Sequence, residues 1–419
     1  MSFVLEQFWL LFCGNDVMQT TNLYWEFFVD ATLVAGSYFM PRVLRKSSNP
    51  EGVVEFSLLY FSLINGWFLY AHQYASRFRE VSRLHWLLVW LFILSMLYGV
   101  THASFETYRS FSEAMIFMRF SIFLMLSRVA CYVDRAQPIS ALLAVFIGDA
   151  ILCFALSAAS DVESAAILWG FVAITELHVD LFLAVGLRGP LQIPYRLENV
   201  IDRFYAVLLA PIGAILIDAF CHTKTNEEWL YIFSSLVLMT LFGMLFMAFK
   251  NDVVNHMRLR SHFEKASLLI LLKLLGYTLW TIGACLLDEP NLHRQSFVTN
   301  VMGYMVGAAL FCFLNLRSLA GRRHNVVEGI WFAFSVAPFL LPHFIKDSTP
   351  LVFLSIHVIL VSILNMIETW HNFEQIEFLQ LRHSADISNV DTPSELEPLL
   401  RIPERNANSV ASTYSAIVV

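Results

Sequence analysis

The chain has 419 residues, of which 57% are hydrophobic and only 15% are charged. Soluble domains carry about 25% charged residues, so this chain has too little polar surface to cover its apolar side chains in water. This composition excludes a soluble or disordered protein over most of the length and makes the lipid bilayer the expected partner. With a formal net charge of −7, we expect no nucleic-acid partner.

Apolar segments long enough to cross a membrane recur along the chain. A spanning helix requires about 20 predominantly apolar residues, and a window of that length identifies these candidates: 23–44, 53–76, 84–103, 111–133, 139–158, 162–185, 197–219, 228–249, 264–286, 297–317, 325–346 and 350–371. Short links containing Pro or Gly separate the segments. The pattern predicts an all-α polytopic membrane protein of about twelve transmembrane helices.

The spacing of the segments predicts an internal duplication. Adding 176 to the first two segments gives ranges close to the seventh and eighth, and places Glu26 opposite Asp202. Six helices per unit give a parallel pseudo-repeat, with its axis along the membrane normal. We therefore predict four regions: a cytosolic, interfacial N-terminal segment (1–22), two six-helix membrane halves (23–196 and 197–371) and a C-terminal tail (372–419).

The links differ in positive charge on the two sides of the membrane. Thirteen Lys and Arg residues lie in the links after even-numbered segments, against seven on the other side. The positive-inside rule then predicts that both termini are cytosolic. The tail is acidic, polar and contains three prolines, which predicts disorder.

Two short patterns in the tail resemble sorting signals that clathrin adaptors read. Glu395 followed by Leu399 and Leu400 resembles an acidic dileucine signal, and Tyr414 with Ile417 resembles a tyrosine-based one. Such signals send membrane proteins to endosomes and lysosomes. We expect an endosomal or lysosomal location, with the plasma membrane as the alternative.

Charged residues inside the predicted spans each cost about 2.5–3.5 kcal/mol unless they are paired or hydrated. Glu26 and Asp30 are four residues apart and share a helical face, and Glu176 and Asp180 repeat that spacing. Such carboxylate pairs are typical of a proton or cation site. The predicted intramembrane polar site consists of Glu26, Asp30, Arg119, Glu176, Asp180, Asp202 and Arg203.

A purely structural interpretation of these charges stays open. Arg119 can neutralise Glu26 or Asp30, and Arg203 can neutralise Asp202 or Glu176. Lys273 is expected to contact a carboxylate across the bundle. Asp149, beside Gly148, is expected to line a cavity or to cap a kink.

The sequence carries no catalytic signature and no metal-ligand pattern. The six cysteines form no CxxC pair and no Cys/His cluster. Glu176, His178 and Asp180 do not share one helical face, so they are a poor metal site. We expect no enzyme activity, no cofactor and no metal.

Three stretches resemble the bacterial low temperature requirement A (LtrA) family. They are Glu26-Phe27-Phe28-Val29-Asp30, Leu168-Trp169 followed by Glu176, and Asn199-Val200-Ile201-Asp202-Arg203-Phe204. Arg119 also falls where the family has an arginine in its fourth span. The chain departs from the family at Asn199, where the family has His, and at Ala214, where it has Glu. The resemblance implies a divergent, eukaryotic member with the family's multi-pass fold.

Two functions are compatible with these features. The first is a secondary, proton- or cation-coupled transporter or channel-like protein for an unknown small solute or ion. The alternative is a non-transporting receptor or scaffold whose intramembrane charges are structural ion pairs. A continuous hydrated cavity at the charged residues favours transport, whereas a dry, fully paired cluster favours the scaffold.

Overall fold

The computed structural model describes residues 18–39, 43, 50–78, 83–187, 197–221, 225–258, 260–287, 297–322, 325–345 and 348–388. Side chains are described from residue 28 to residue 370 within these ranges, except at 50, 83, 198 and 199. The chain divides into two compact units, Met1–Asn365 and Met366–Val419. The second unit is described only as a helical segment, from Met366 to Ser388.

The described part of the chain forms thirteen α-helices: α1 (Met18–Phe39), α2 (Pro50–Phe68), α3 (Arg83–Thr101), α4 (Tyr108–Tyr132), α5 (Gln137–Ala159), α6 (Val162–Leu177), α7 (Val179–Gly186), α8 (Leu197–Cys221), α9 (Asn226–Arg258), α10 (His262–Leu287), α11 (Phe297–Leu319), α12 (Asn325–Phe344) and α13 (Pro350–Ser388). A π-helical turn, Leu69–Ala75, continues α2. Short 3-10 turns precede α4 and α5.

The predicted all-α, multi-pass class is confirmed. Ten helices in the described residues are long and apolar enough to cross a membrane, and the bent pair α6–α7 counts as an eleventh if it forms one span. The first predicted span, 23–44, overlaps α1, in which the stretch with described side chains, Phe28–Phe39, is by itself too short to cross. Large apolar side chains such as Ile167 and Ile174 are exposed on the helices, as a protein surface that faces lipid requires.

The largest differences from the predicted spans lie at 162–185 and at 350–371, and a smaller one is at α9, which continues to Arg258 beyond the predicted end at residue 249. The span predicted as one helix over 162–185 is broken at His178, where α6 and α7 meet at 50°. In the last span, α13 continues to Ser388 instead of ending at residue 371. Residues 372–388 contain Glu, Gln, Leu and Arg with no Pro or Gly, and these residues favour helix despite their polarity. The prediction of disorder is therefore wrong for 372–388.

Helices of the two predicted halves pack in the same order. In the first half α1 packs on α3, α3 on α4 and α4 on α5; in the second half α8 packs on α10, α10 on α11 and α11 on α12. The first helices of the halves, α1 and α8, also pack on each other. Equivalent helices thus make equivalent contacts, as a parallel repeat predicts, while the repeat itself stays a prediction.

Candidate functional site

Four buried charged side chains lie where α2, α4, α6, α7 and α10 approach one another. We call them the charged cluster: Arg119 of α4, Glu176 of α6, Asp180 of α7 and Lys273 of α10. Each is at most 6% exposed. Two cations and two carboxylates make the cluster electrically neutral when all four are ionised. A neutral arrangement limits the cost of placing charges at this depth.

Arg119 and Glu176 form a two-point ion pair. The Nε atom of Arg119 donates to Oε1 of Glu176 at 2.8 Å, and Nη2 donates to Oε2 at 2.7 Å. Nη2 also donates to the carbonyl oxygen of Ser62 on α2 at 2.7 Å. The guanidinium lies over the ring of Phe154, 4.6 Å from its centroid. This two-point geometry fixes the planes of the guanidinium and the carboxylate relative to each other. Together, the contacts of Arg119 join α2, α4, α5 and α6.

Lys273 binds the break between α6 and α7. Its ammonium donates to the carbonyl oxygens of Glu176 at 3.1 Å and Leu177 at 3.4 Å, and to Oδ2 of Asp180 at 3.1 Å. In an unbroken helix these carbonyls would accept from the N–H groups four residues later. Instead, the N–H of Leu181 donates to the oxygen of His178 at 2.9 Å. The ammonium thus satisfies the carbonyls that the helix leaves free.

The π-helical turn at the end of α2 supplies the other partner of Asp180. Nε2 of Gln73 donates to Oδ1 of Asp180, and Oε1 of Gln73 accepts from Nη2 of Arg77 at 3.0 Å. Gln73 is buried, whereas Arg77 is partly buried just beyond the turn. Single π turns in α-helices are frequent at functional sites. Here the turn connects the cluster to the end of α2.

Neutral polar side chains hold α6 against its neighbours in the turns that precede Glu176. Nδ2 of Asn65 donates to the carbonyl oxygen of Ala173 at 3.1 Å. The indole N–H of Trp169 donates to the hydroxyls of Ser112 and Ser157, at 3.2 and 3.1 Å. These bonds fix the position of α6 one and two turns before Glu176, which positions the carboxylate for Arg119.

A cavity of about 20 Å³ lies between α5 and α6 beside Glu176. Asp149, Cys153 and Thr175 contribute to its lining, which is otherwise mainly apolar. The volume holds about one water molecule. Asp149 is exposed on α5 and lines this cavity, which agrees with one of the two roles expected for it. Glu176 thus borders a space of about the size of one water molecule.

The structure brings together only part of the predicted polar site. Glu176 and Asp180 do not share one face as predicted, because the helix breaks between them and each has its own cation. Arg119 pairs with Glu176 and not with the acids of the first span. Lys273 contacts a carboxylate across the bundle, that of Asp180, as expected.

The remaining predicted residues lie elsewhere or outside the described side chains. Asp202 is exposed and pairs with Lys250 of α9, not with Arg203. Asp30 of α1 is partly buried and Arg203 of α8 is buried. The side chain of Glu26 is outside the described residues, as are all the tail residues predicted for sorting: Glu395, Leu399, Leu400, Tyr414 and Ile417.

Sequence reasoning that considered only charged residues missed Gln73 and Asn65. Both are amides inside the predicted span 53–76, and an amide in hydrocarbon also needs a partner. A search for Asn and Gln inside predicted spans would have found them. The backbone acceptors of the site, the oxygens of Ser62, Glu176 and Leu177, have no sequence signal at all.

The buried charges and the carbonyl oxygens at the helix break give the cluster the chemistry to bind charged or polar groups. No group of three His, Cys, Asp or Glu side chains in the described part of the chain is arranged as a metal site. Fold and cluster together define a multi-pass helical membrane protein with buried ion pairs at a broken span. Comparison of the chain with protein-family models, curated proteins and solved structures finds no match.

Proposed function

We propose that the protein is a secondary transporter or channel-like protein of LtrA-like type, coupled to protons or another cation and carrying a small solute or ion. The observation that carries this proposal is the break between α6 and α7, with Lys273 and Asp180 on it. Broken helices with free carbonyl groups and charged side chains are typical of the binding sites of secondary transporters. No nucleic-acid partner, cofactor or enzyme activity belongs to this proposal.

Two further features support transport. The break lies inside a predicted span, where irregular backbone is tolerated only if protein groups or water form hydrogen bonds with its free N–H and C=O groups. The π turn that continues α2 also contacts the break, because its Gln73 donates a hydrogen bond to Asp180. Two irregular helices that meet at one charged cluster can change conformation there with fewer lost hydrogen bonds than two regular helices.

The test measures whether water reaches the cluster from either side of the membrane. Thr175, on the cavity wall, is changed to Cys in a protein whose six native cysteines are replaced by Ser. A charged, membrane-impermeant thiol reagent is added to one side of oriented vesicles, with and without a proton gradient. The control is Ile174→Cys, since Ile174 is exposed to lipid.

A transporter predicts that Thr175→Cys reacts, and that its rate from one side changes severalfold when the gradient is reversed. Ile174→Cys should stay unreactive, because thiolates do not form in hydrocarbon. If Thr175→Cys reacts from neither side under any gradient, the transport proposal fails.

A receptor or scaffold is the second candidate, and the Arg119–Glu176 pair favours it. The pair is buried and makes two parallel hydrogen bonds, and such a pair can serve as a brace between helices. On this proposal the cavity beside Glu176 stays closed, so the labelling experiment separates the two candidates.

For location, the proposal keeps both termini in the cytosol and places the protein in endosomal or lysosomal membranes, with clathrin adaptors reading the tail. Tags at both termini should resist protease added outside intact cells. Leu399→Ala together with Leu400→Ala should move a tagged protein to the plasma membrane, and Tyr414→Ala should have a smaller effect. Wild-type protein already at the plasma membrane would contradict the sorting proposal and leave the fold unaffected.

A further inference from the structure

We propose that the ammonium of Lys273 occupies a monovalent-cation site built into the break of the α6–α7 span, so that the chain carries its own tethered cation there. The site is formed by the carbonyl oxygens of Glu176 and Leu177 and by Oδ2 of Asp180. When the ammonium is removed, the site takes up a free cation such as Na⁺. The inference concerns binding and holds for a transporter and for a scaffold alike.

The ligands have the chemistry that monovalent cations require. All three are oxygens: two neutral carbonyls and one carboxylate. The carbonyls are at the C-terminal end of α6, where the helix dipole is negative. Unwound carbonyls and half-helix C-terminal ends of this kind coordinate Na⁺ or protons in transporters with broken helices.

Lys273 matches the site as a cation and not simply as a long side chain. An ammonium has three N–H donors, and the three oxygens lie at 3.1, 3.4 and 3.1 Å from Nζ. Lys273 is only 2% exposed, so bulk water does not replace these partners. The stem of Lys273 comes from α10, which packs on α7. A separate helix thus delivers the charge to the break.

Electrical balance gives an independent reason for a cation at this point. Glu176 is already neutralised by Arg119, whereas Asp180 has only the neutral Gln73 amide besides Lys273 among the contacts seen here. Without the ammonium, one carboxylate and two carbonyl oxygens would face each other with no positive partner in hydrogen-bond contact. A buried carboxylate in that position requires a cation or a proton.

The experiment compares Lys273→Ala with Lys273→Met in the purified full-length protein. Alanine vacates the position of the ammonium and its stem, whereas methionine fills the stem with apolar atoms. Thermal unfolding is measured in choline chloride, with NaCl, KCl or methylammonium chloride added at constant ionic strength. A ligand that binds only the folded state raises stability with the logarithm of its concentration beyond its Kd.

Wild type should unfold at the same temperature in all four salts. Lys273→Ala should unfold at a lower temperature in choline and recover saturably in at least one of the smaller cations. Lys273→Met should show no such recovery. Lys273→Ala combined with Asp180→Asn should lose the cation response, which assigns the ion to this site.

Equal responses of Lys273→Ala and Lys273→Met would overturn the inference, as would a wild type stabilised to the same extent by Na⁺. If Lys273→Ala gives no folded protein in choline, expression and extraction are repeated in Na⁺ and in methylammonium. Failure to recover folded protein in either cation also overturns it. If Lys273→Ala responds to cations but Thr175→Cys is not labelled, the cation site is supported and the transport proposal is contradicted.

Discussion

Removing the charge of Arg119 is the most direct test of the charged cluster. Arg119 is fully buried and donates two hydrogen bonds to Glu176, one to the oxygen of Ser62 and one to the sulfur of Met115. Arg119→Met keeps an unbranched stem of similar length but leaves the carboxylate of Glu176 without a cation in a site that water barely reaches. Removing one partner of a buried pair costs about 3–5 kcal/mol.

The double variant Arg119→Met with Glu176→Met tests whether the loss of stability in Arg119→Met comes from the unpaired carboxylate. Replacing both charges with apolar atoms is often neutral or stabilising, so the double variant should be more stable than Arg119→Met alone. The coupling energy from the double-mutant cycle should exceed about 2 kcal/mol, within the range for residues in one network. Arg109→Met is the control, since Arg109 is exposed on the same helix and should change stability by less than about 0.5 kcal/mol.

The free energy of unfolding is measured by titrating purified protein with SDS in mixed micelles. Folded yield after extraction, followed by size-exclusion of a fluorescent fusion, gives an independent ranking of the variants. If Arg119→Met is as stable as wild type, or if the double variant loses the sum of the single losses, Arg119 and Glu176 are not coupled as the geometry requires.

Two further predictions concern packing and pH. In Gly283→Ala the new Cβ would lie 2.5 Å from Cβ of Pro211, so overpacking should lower the free energy of unfolding by about 1–3 kcal/mol. In the control Gly243→Ala the new Cβ has no atom within 4 Å, so this change should be neutral or slightly stabilising. Equal changes in stability of the two variants would contradict this prediction. Hydrogen bonds from the hydroxyl and backbone N–H of Ser164 lower the pKa of Asp161, the N-cap of α6. The ionised Asp161 should therefore stabilise the fold above its unfolded pKa of about 3.9. This stabilisation should be lost as the pH falls through the lower pKa of Asp161 in the folded protein. Melting temperatures at neutral and acidic pH should show a smaller acid-side loss in Asp161→Asn than in wild type; an unchanged loss would contradict the assignment.

The class of the protein and most helix positions follow from the sequence alone. Backbone groups in a bilayer must bond within their own segment, so long apolar runs can only be helices. That local rule placed the spans close to where the structure has them. It also marked Arg119, Glu176, Asp180 and Lys273 as residues that need partners, because a lone charge in hydrocarbon is costly.

The choice of partners was decided by the tertiary structure. From the sequence, Arg119 of α4 can pair with acids of the first, sixth or seventh predicted span, with Glu26 and Asp30 as its expected partners. The structure pairs it with Glu176, because α6 is held beside α2 and α4 by Asn65 and Trp169. Charge alone does not rank acids that lie 57 or 89 residues away along the chain, since their distance in space depends on helix packing.

The break at His178 is the clearest case of a feature that the local sequence does not contain. No proline or glycine lies between Phe171 and Val185, and the segment predicts one continuous helix. In the structure, carbonyl oxygens of that segment accept from Lys273 on a helix nearly a hundred residues later. A backbone hydrogen bond can be exchanged for one to an ammonium only when the fold delivers the ammonium, so the break is a property of the assembled bundle.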